Sequence, residues 1–399
     1  MTETTMSEPH LPPEISEYIV DLLRNELDTL ERCCLVSRSW VPRTRKHLFA
    51  DIKFLYSDDL ERWKRTFPDP SRYPTHHTHT LTIGCPEVVT AADAQEGGWI
   101  RAFSNVTRLE VLSGLRDLYG SEVSLVPFHG FSPVLKSLRV ASETFPCVQI
   151  LNLACSFRFL EDLDLAQHMM GVGIIGRDRT VFQPSTSPVL TGTLRVYLPG
   201  RMGCVTRRLL NLPCGLHFRK LEFSCYRDDN LRWMRALVVG CSNTLECVDI
   251  ECCVSIPLAQ KDPWTASIDL SKAIKLKEVV FRSKTLHVNW LVLALQTITS
   301  EHRCLHHISI HVHFRPFFID DPVNVRQTVG EEIYRQWMDL DRILVRSWES
   351  YGIRPKVVYS EAGGEKETTC IGSLLPEITE RGIIELVDSV EPCWYRQIY

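Results

Sequence analysis

Phe218-Arg219-Lys220-Leu221-Glu222-Phe223 is followed, one turn of a repeat later, by Leu245-Glu246-Cys247-Val248-Asp249-Ile250. Both stretches read apolar-x-x-apolar-x-apolar. The last two apolar residues are one residue apart, which is the period of a β-strand. The same pattern recurs at Val106, Leu109, Val111; at Leu135, Leu138, Val140; at Leu160, Leu163, Leu165; at Leu276, Val279, Phe281; and at Leu305, Ile308, Ile310. Two copies lack the first apolar residue: Leu81, Ile83 and Leu194, Val196. The second apolar position falls at residues 81, 109, 138, 163, 194, 221, 248, 279 and 308, giving gaps of 28, 29, 25, 31, 27, 27, 31 and 29. Self-similarity at that period is the signature of stacked repeats.

Helical patterns lie between the copies. Gly97 to Phe103 precedes one strand; Asp229 to Val239, with Leu231, Trp233, Met234 and Leu237, is expected to be a helix stopped by Gly240; Trp290 to Ile298 is a third. A unit of one helix and one strand cannot bury both faces alone, but stacked units share a continuous core. The expected fold class is an α/β solenoid, with a parallel sheet on the concave side and helices outside.

Side chains alternate along a strand, so the residue between the paired apolar positions faces the open side of the sheet. Those residues are Thr82, Glu110, Arg139, Asp164, Arg195, Glu222, Asp249, Val280 and Ser309. Glu110 through Asp249 are six consecutive charged members of mixed sign. They are the candidate lane for a protein partner, set against the plainer reading of a solvated face. The loop Cys225-Tyr226-Arg227-Asp228 is the next candidate.

The repeats stop after Phe314. Residues 315–330, with two prolines, read as a loop; Glu331 to Glu349 as an amphipathic helix carrying Ile333, Trp337, Leu340, Ile343, Leu344 and Trp348; Val357 to Tyr359 as a strand; Glu361 to Thr368 as a polar turn. Leu374 to Arg381 reads as a short helix ending at Gly382, and Ile383 to Val387 as a closing strand. This last stretch, 315–399, is the expected cap that hides the final apolar face.

Three short helices are read before residue 55. Pro12 and Pro13 open the first, with Ile15, Tyr18, Ile19, Leu22 and Leu23 at helical spacing. Asp28 with Glu31 has the form of a capping box opening a second helix through Val36. Ser37 or Ser39 is expected to cap a third, carrying Trp40, Arg43, Arg45 and Lys46 and ending near Leu48-Phe49. A unit of roughly 45 residues buries too little surface to be very stable by itself, so it is expected to lean on a neighbour or a partner.

Leu11-Pro12-Pro13-Glu14-Ile15, then Ile19, Leu22, Leu23 and Leu30, then Cys33-Cys34-Leu35-Val36-Ser37-Arg38-Ser39-Trp40, then Leu48-Phe49, resemble an F-box. The match spans about residues 10–54. The resemblance implies docking to a Skp-type adaptor and, through it, to a cullin-based ubiquitin ligase. Carried over by position, Leu11, Pro12, Ile15, Ile19, Leu23, Leu30, Cys34, Val36 and Trp40 form the adaptor contact or its support; the plainer reading makes them a local helical core. The cysteine doublet stands where aliphatic residues are more usual. The later repeats resemble the irregular leucine-rich-repeat horseshoe that often follows an F-box, with the regular asparagine or cysteine position mostly absent. The division expected is a disordered N-terminus 1–9, an F-box-like domain 10–54, a linker 55–80, an array 81–314 and the cap.

Composition narrows the function classes. The chain has 399 residues, 45 Lys plus Arg against 49 Asp plus Glu, and a net charge of −4, which disfavours a dedicated nucleic-acid binder. Fifteen cysteines occur without a C-x-x-C pair and mostly inside apolar runs, so they read as buried thiols in a reducing compartment. Met1 to His10 lacks the regions of an export signal, and no apolar stretch is long enough to span a bilayer, so the expected location is cytoplasmic or nuclear, without membrane partners. His302, His306, His307, His311 and His313 cluster; His311 and His313 share a strand face and would suit a metal, but that face is also where polar residues belong. His76, His77 and His79 read as exposed linker residues. Gly171-Val172-Gly173-Ile174-Ile175-Gly176 matches G-x-G-x-x-G without the strand and helix of a dinucleotide unit. No catalytic residue, cofactor or metal is expected. The sequence is read as a substrate receptor of a ubiquitin ligase, holding an unidentified protein target; the alternatives are a leucine-rich-repeat scaffold without ligase role and, more remotely, a metal-dependent enzyme.

Overall fold

In the computed structural model, the described residues are 12–69, 74–86, 89–90, 92–95, 98–112, 124–141, 145–166, 188–197, 202–225, 228–252, 268–312, 325–360, 372–383 and 385–389. The chain divides into two compact units, Met1–Lys136 and Ser137–Tyr399.

The first unit opens with three helices: α1 (Pro13–Leu22), α2 (Leu27–Val36) and α3 (Val41–Leu48). Proline in the first turn of α1 and of α3 costs nothing, because those amides have no intrahelical partner. The expected capping box is not formed: α2 starts before Asp28, and its N-cap is Glu26 without a side-chain bond. Ser37 and Ser39 bond to one another (2.8 Å) instead of capping, and Trp40 is the N-cap of α3. A carboxylate joins the outer pair of helices. Asp21 of α1 accepts from Arg43 Nε and from His47 Nε2 of α3, each at 2.7 Å, and also pairs with Arg43 Nη2.

Strand β1 (Asp51–Phe54) follows at once, within the segment assigned to the helical domain. Helix α4 (Ser57–Thr66) occupies much of the expected linker, and the Asp59 carboxylate accepts the Tyr56 and Leu55 amides at its start (3.0 and 3.1 Å). Strands β2 (Thr80–Ile83) and β3 (Arg108–Leu112) continue a parallel sheet in register, Ile52 beside Leu81 and Leu81 beside Leu109. An aromatic core fills this unit: Trp63 of α4 and Trp99 meet Phe54 edge-on, both at 5.7 Å, and Phe103 closes on Trp63 at 6.0 Å. The helix expected over Gly97 to Phe103 is a single 3-10 turn, Trp99–Ala102.

The second unit carries β4 (Ser137–Ala141), β5 (Asp162–Ala166), β6 (Thr193–Tyr197), β7 (Lys220–Cys225), β8 (Cys247–Cys252), β9 (Glu278–Ser283), β10 (His307–Val312), β11 (Lys356–Ser360) and β12 (Glu385–Ser389). Each pairs in parallel with the next. Leu138, Leu163, Leu194, Leu221, Val248, Val279 and Ile308 lie side by side across the sheet and are fully buried. The repeat spacing read from the sequence is therefore the strand register. Thus the protein is an α/β fold with a parallel sheet and a helical N-terminal part.

Helices α5 (Cys147–Cys155), α6 (Met202–Leu210), α7 (Asp228–Cys241) and α8 (Asn289–Gln296) connect strands of this unit. They pack on the apolar side, as Phe281 against Trp290 at 5.3 Å shows. Gly240 does not end α7 but lies inside it; a Cβ there would meet Leu210 Cδ2 of α6 at 2.9 Å. The glycine permits close approach of two helices. After β10, α9 (Val325–Val329) takes part of the expected loop, and α10 (Glu331–Tyr351) ends at Gly352, whose φ of +67° suits glycine. Helix α11 (Pro376–Glu380) precedes β12, and both its Glu377 and Ile378 amides bond to the buried Asp341 carboxylate of α10 (2.8 and 3.0 Å). The expected turn at residues 361–368 lies outside the described residues.

Successive turns are also tied by side chains just ahead of the strands. Within the first unit, Thr78 Oγ1 donates to the Phe49 carbonyl (2.9 Å), Asn105 Nδ2 to His76 (3.0 Å) and Ser132 Oγ to Ser104 (2.9 Å). Within the second, Thr244 Oγ1 donates to the Phe218 carbonyl (3.1 Å). Buried His302 donates from Nε2 to the Leu270 carbonyl (2.9 Å), while its Nδ1 accepts the Thr299 amide (3.1 Å). Hydroxyls, one amide and one imidazole here bond to carbonyls one repeat earlier.

Candidate interaction surfaces

The N-terminal helices bury little. Val20, Leu30 and Cys33 are their buried apolar side chains among the described residues, and Leu30 is fully enclosed. Of the residues assigned to adaptor contact, Pro12, Ile15 and Val36 are exposed; Ile19, Leu23, Cys34 and Trp40 are half-buried. Leu30 is therefore a core residue of these helices. Cys34 Sγ meets Thr44 Oγ1 at 2.9 Å, tying α2 to α3. Leu11 lies outside the described residues. Other apolar side chains that were not assigned are open too: Leu35 is 88% exposed, and Tyr18, Leu22 and Leu27 are exposed as well. Ile15, Tyr18 and Leu22 fall at i, i+3 and i+7, on one face of α1. The sequence signal for Leu35 was its place inside the Cys33–Val36 run.

The charged residues of the sheet are largely paired with one another. In the first unit Thr82 Oγ1 reaches Glu110 at 3.5 Å, and Glu110 also holds Arg108 (2.9 Å). In the second unit Arg139 and Asp164 stand opposite each other, Nε to Oδ2 3.7 Å, as do Arg195 and Glu222 at 2.5 Å. Lys220 adds a second cation to Glu222 (2.8 Å). Asp249 takes both Nε and Nη2 of Arg282, at 2.9 and 3.0 Å, and Lys284 holds Glu251 (2.6 Å), which also accepts from Ser224 (2.7 Å). Val280 and Ser309 are buried. The six charged residues thus split into Glu110 of the first unit and five of the second, and each finds a charged partner on the protein itself.

Burial and pairing compete in these side chains. Burial raises the Glu222 carboxyl, but the bonds from Arg195 and Lys220 outweigh it and hold the group below its ordinary value. At Asp249 burial wins over Arg282, and the carboxyl lies above its ordinary value. Tyr197, at the end of β6, is pushed strongly upward by burial and then by Glu222, Asp164 and Asp249, so it remains a neutral phenol. A face so arranged offers fixed dipoles and already neutralised charge.

The histidines are engaged separately. His302 is the inter-repeat bond described above, His306 Nδ1 bonds the Cys304 carbonyl (3.0 Å), and His311 sits between Ser309 (3.0 Å) and Arg282 (3.4 Å). His313, the G-x-G-x-x-G stretch and Tyr226-Arg227 lie outside the described residues. The His76 and His77 rings are 3.8 Å apart. No three His, Cys, Asp or Glu side chains gather as a metal set would among the described residues. Seven of the described cysteines are buried, and burial pushes the thiols of Cys155 and Cys241 up to about 11 and about 12, so they pack as thiols rather than react as thiolates. No described helix is long and apolar enough to cross a membrane.

Comparison with known proteins finds no family model and no curated protein that matches the chain.

Proposed function

We propose that the protein is a substrate receptor of a cullin-based ubiquitin ligase. Its N-terminal helices dock to a Skp-type adaptor, and a leucine-rich-repeat-like array holds a protein target along its charged sheet face. The observation that carries the reading is the small helical part: three buried apolar side chains support it, while Leu35, Val36, Leu22, Tyr18, Leu27 and Ile15 stay open to solvent. An apolar surface of that kind is stabilised by covering it, and it coincides with the stretch that resembles an F-box. The chain then acts by raising the effective concentration of target lysines near a conjugating enzyme, without a catalytic group of its own.

Co-purification of the full chain with a recombinant Skp-type adaptor tests this. The expected result is a stable complex, weakened about 100-fold by Leu22→Ser with Leu35→Ser, since each exposed leucine buried at an interface is worth roughly 1.5–3 kcal/mol. Failure of the unaltered chain to bind the adaptor would end the ligase reading.

A further inference from the structure

On the helix side of the second unit, the Trp233 indole of α7 lies against the backbone of α6. A Cβ at Gly203 would stand 2.5 Å from its Nε1 and 2.6 Å from its Cε2. Two guanidiniums flank the ring: Arg232 with its carbon 4.5 Å from the ring centroid and Arg207, one turn beyond Gly203, at 5.6 Å. Both arginines are exposed, and no described acidic side chain forms an ion pair with either. Leu210 of α6 and Val239 of α7 are exposed nearby along the same two helices.

The arrangement has a physical cost. Two like charges are held at one indole, and the attraction of each cation to the ring only partly offsets their mutual repulsion. On the sheet, by contrast, Arg195, Arg282, Lys220 and Lys284 each have a carboxylate. The whole chain carries a net charge of −4, and these two arginines are held at one ring without a described acidic partner. Guanidiniums fixed by stacking keep their N–H forks free and oriented for carboxylates, which take them two at a time.

We propose that α6 and α7 form a docking surface for an acidic, partly aliphatic peptide segment of a protein partner. Carboxylates of that segment take the forks of Arg207 and Arg232, and its aliphatic side chains cover Leu210 and Val239. Nucleic acid fits less well: one indole face is closed by Gly203 and the ring is flanked by guanidiniums, leaving no open platform for base stacking. This surface is independent of the adaptor reading, which concerns the N-terminal helices.

Full-length protein labelled with 5-fluorotryptophan, its Trp233 resonance assigned by Trp233→Phe, reads the site directly by fluorine NMR. The probe is a twelve-residue peptide of alternating Glu and Leu pairs; the controls are the same peptide with Gln for Glu and a twelve-nucleotide single-stranded DNA. The expected result is a saturable shift of the Trp233 resonance with the Glu peptide, weakened by salt, and at least tenfold weaker binding in Arg207→Gln with Arg232→Gln. The fold of that variant is checked by an unchanged melting temperature. An unmoved Trp233 resonance overturns the proposal. So does equal binding of the Gln peptide, tighter binding of the DNA, or full binding by the double variant.

Discussion

Arg282 stands directly opposite Glu251 in the register of β8 and β9, yet it reaches back diagonally to Asp249, donating from Nε at 2.9 Å and from Nη2 at 3.0 Å. Lys284 then takes Glu251. Arg282 and the residue just past the strand thus each pair two residues back from the register, and two carboxylates are neutralised where strict pairing would leave Asp249 against Val280.

Arg282→Gln should therefore destabilise the fold by about 2–3 kcal/mol, because it strands a desolvated carboxylate that is mostly shielded from water. Asp249 has a folded pKa above its ordinary value, so its contribution is most favourable below the unfolded value near ~3.9 and is lost as pH rises through the folded one. The variant's deficit should accordingly be larger at pH 7 than at pH 5 in urea titrations. Asp249→Asn with Arg282→Gln should cost clearly less than the sum of the two single changes.

Asp21 gives the opposite sign. Hydrogen bonds from Arg43 and then His47 hold its carboxyl well below the usual carboxylate range, so its contribution is present above the unfolded pKa and is lost as pH falls through the folded one. Asp21→Asn should loosen α1 from α3 at a cost on the order of 1 kcal/mol, the surface setting screening the pair. Hydrogen exchange over residues 13–48 should rise in the variant equally at pH 7 and pH 5, after correction for intrinsic rates. A difference that has vanished by pH 5 would rule out this assignment.

His302→Leu should cost about 1–3 kcal/mol, since it leaves the Thr299 amide without a partner in a buried turn and removes one of the two donors to the Leu270 carbonyl, the Ala273 amide remaining. Thr244→Val, which removes a comparable but single bond to Phe218, should cost about 1 kcal/mol. Thermal denaturation of both variants and of the pair checks the ranking, and near-additivity is expected because the two sites share no partner.

Asp341→Ala should free the amides of Glu377 and Ile378 and weaken α11 by about 2 kcal/mol. Faster hydrogen exchange at those two amides, with little change in β4 to β8, is the expected pattern; a uniform rise across the unit would contradict it.

The nine strands anticipated from the apolar-x-apolar pairs are present at the anticipated places, because a buried strand face must be apolar at every second residue whatever surrounds it. Strand β1 carries the same signal, Phe49, Ile52 and Phe54, and Ile52 precedes Leu81 by one period. The sequence hides it, because Leu48-Phe49 also reads as the end of a helix. Short local competition defeated the capping predictions: Asp28, Ser37 and Ser39 are all credible caps by residue type, and the choice was made by Pro42 in the first turn of α3 and by the packing of Leu30. For the candidate surfaces, the sequence placed the charged residues on one face but could not show that they neutralise one another, since Arg282 pairs off register. Nor could residue spacing alone distinguish the open face of α1 from a core face: Leu22 and Leu30 are both leucines at helical spacing, and one is exposed while the other is enclosed.

The bonds from Thr78, Ser132, Thr244 and His302 all leave from the turn just before a strand and end on a carbonyl one repeat earlier. None of them depends on how many residues the chain spends on the helix side before arriving there. Gaps from 25 to 31 residues are accommodated by one register. Residues inserted into or deleted from the outer connections would therefore leave the alignment of the sheet intact, because the turn chemistry that fixes it lies elsewhere.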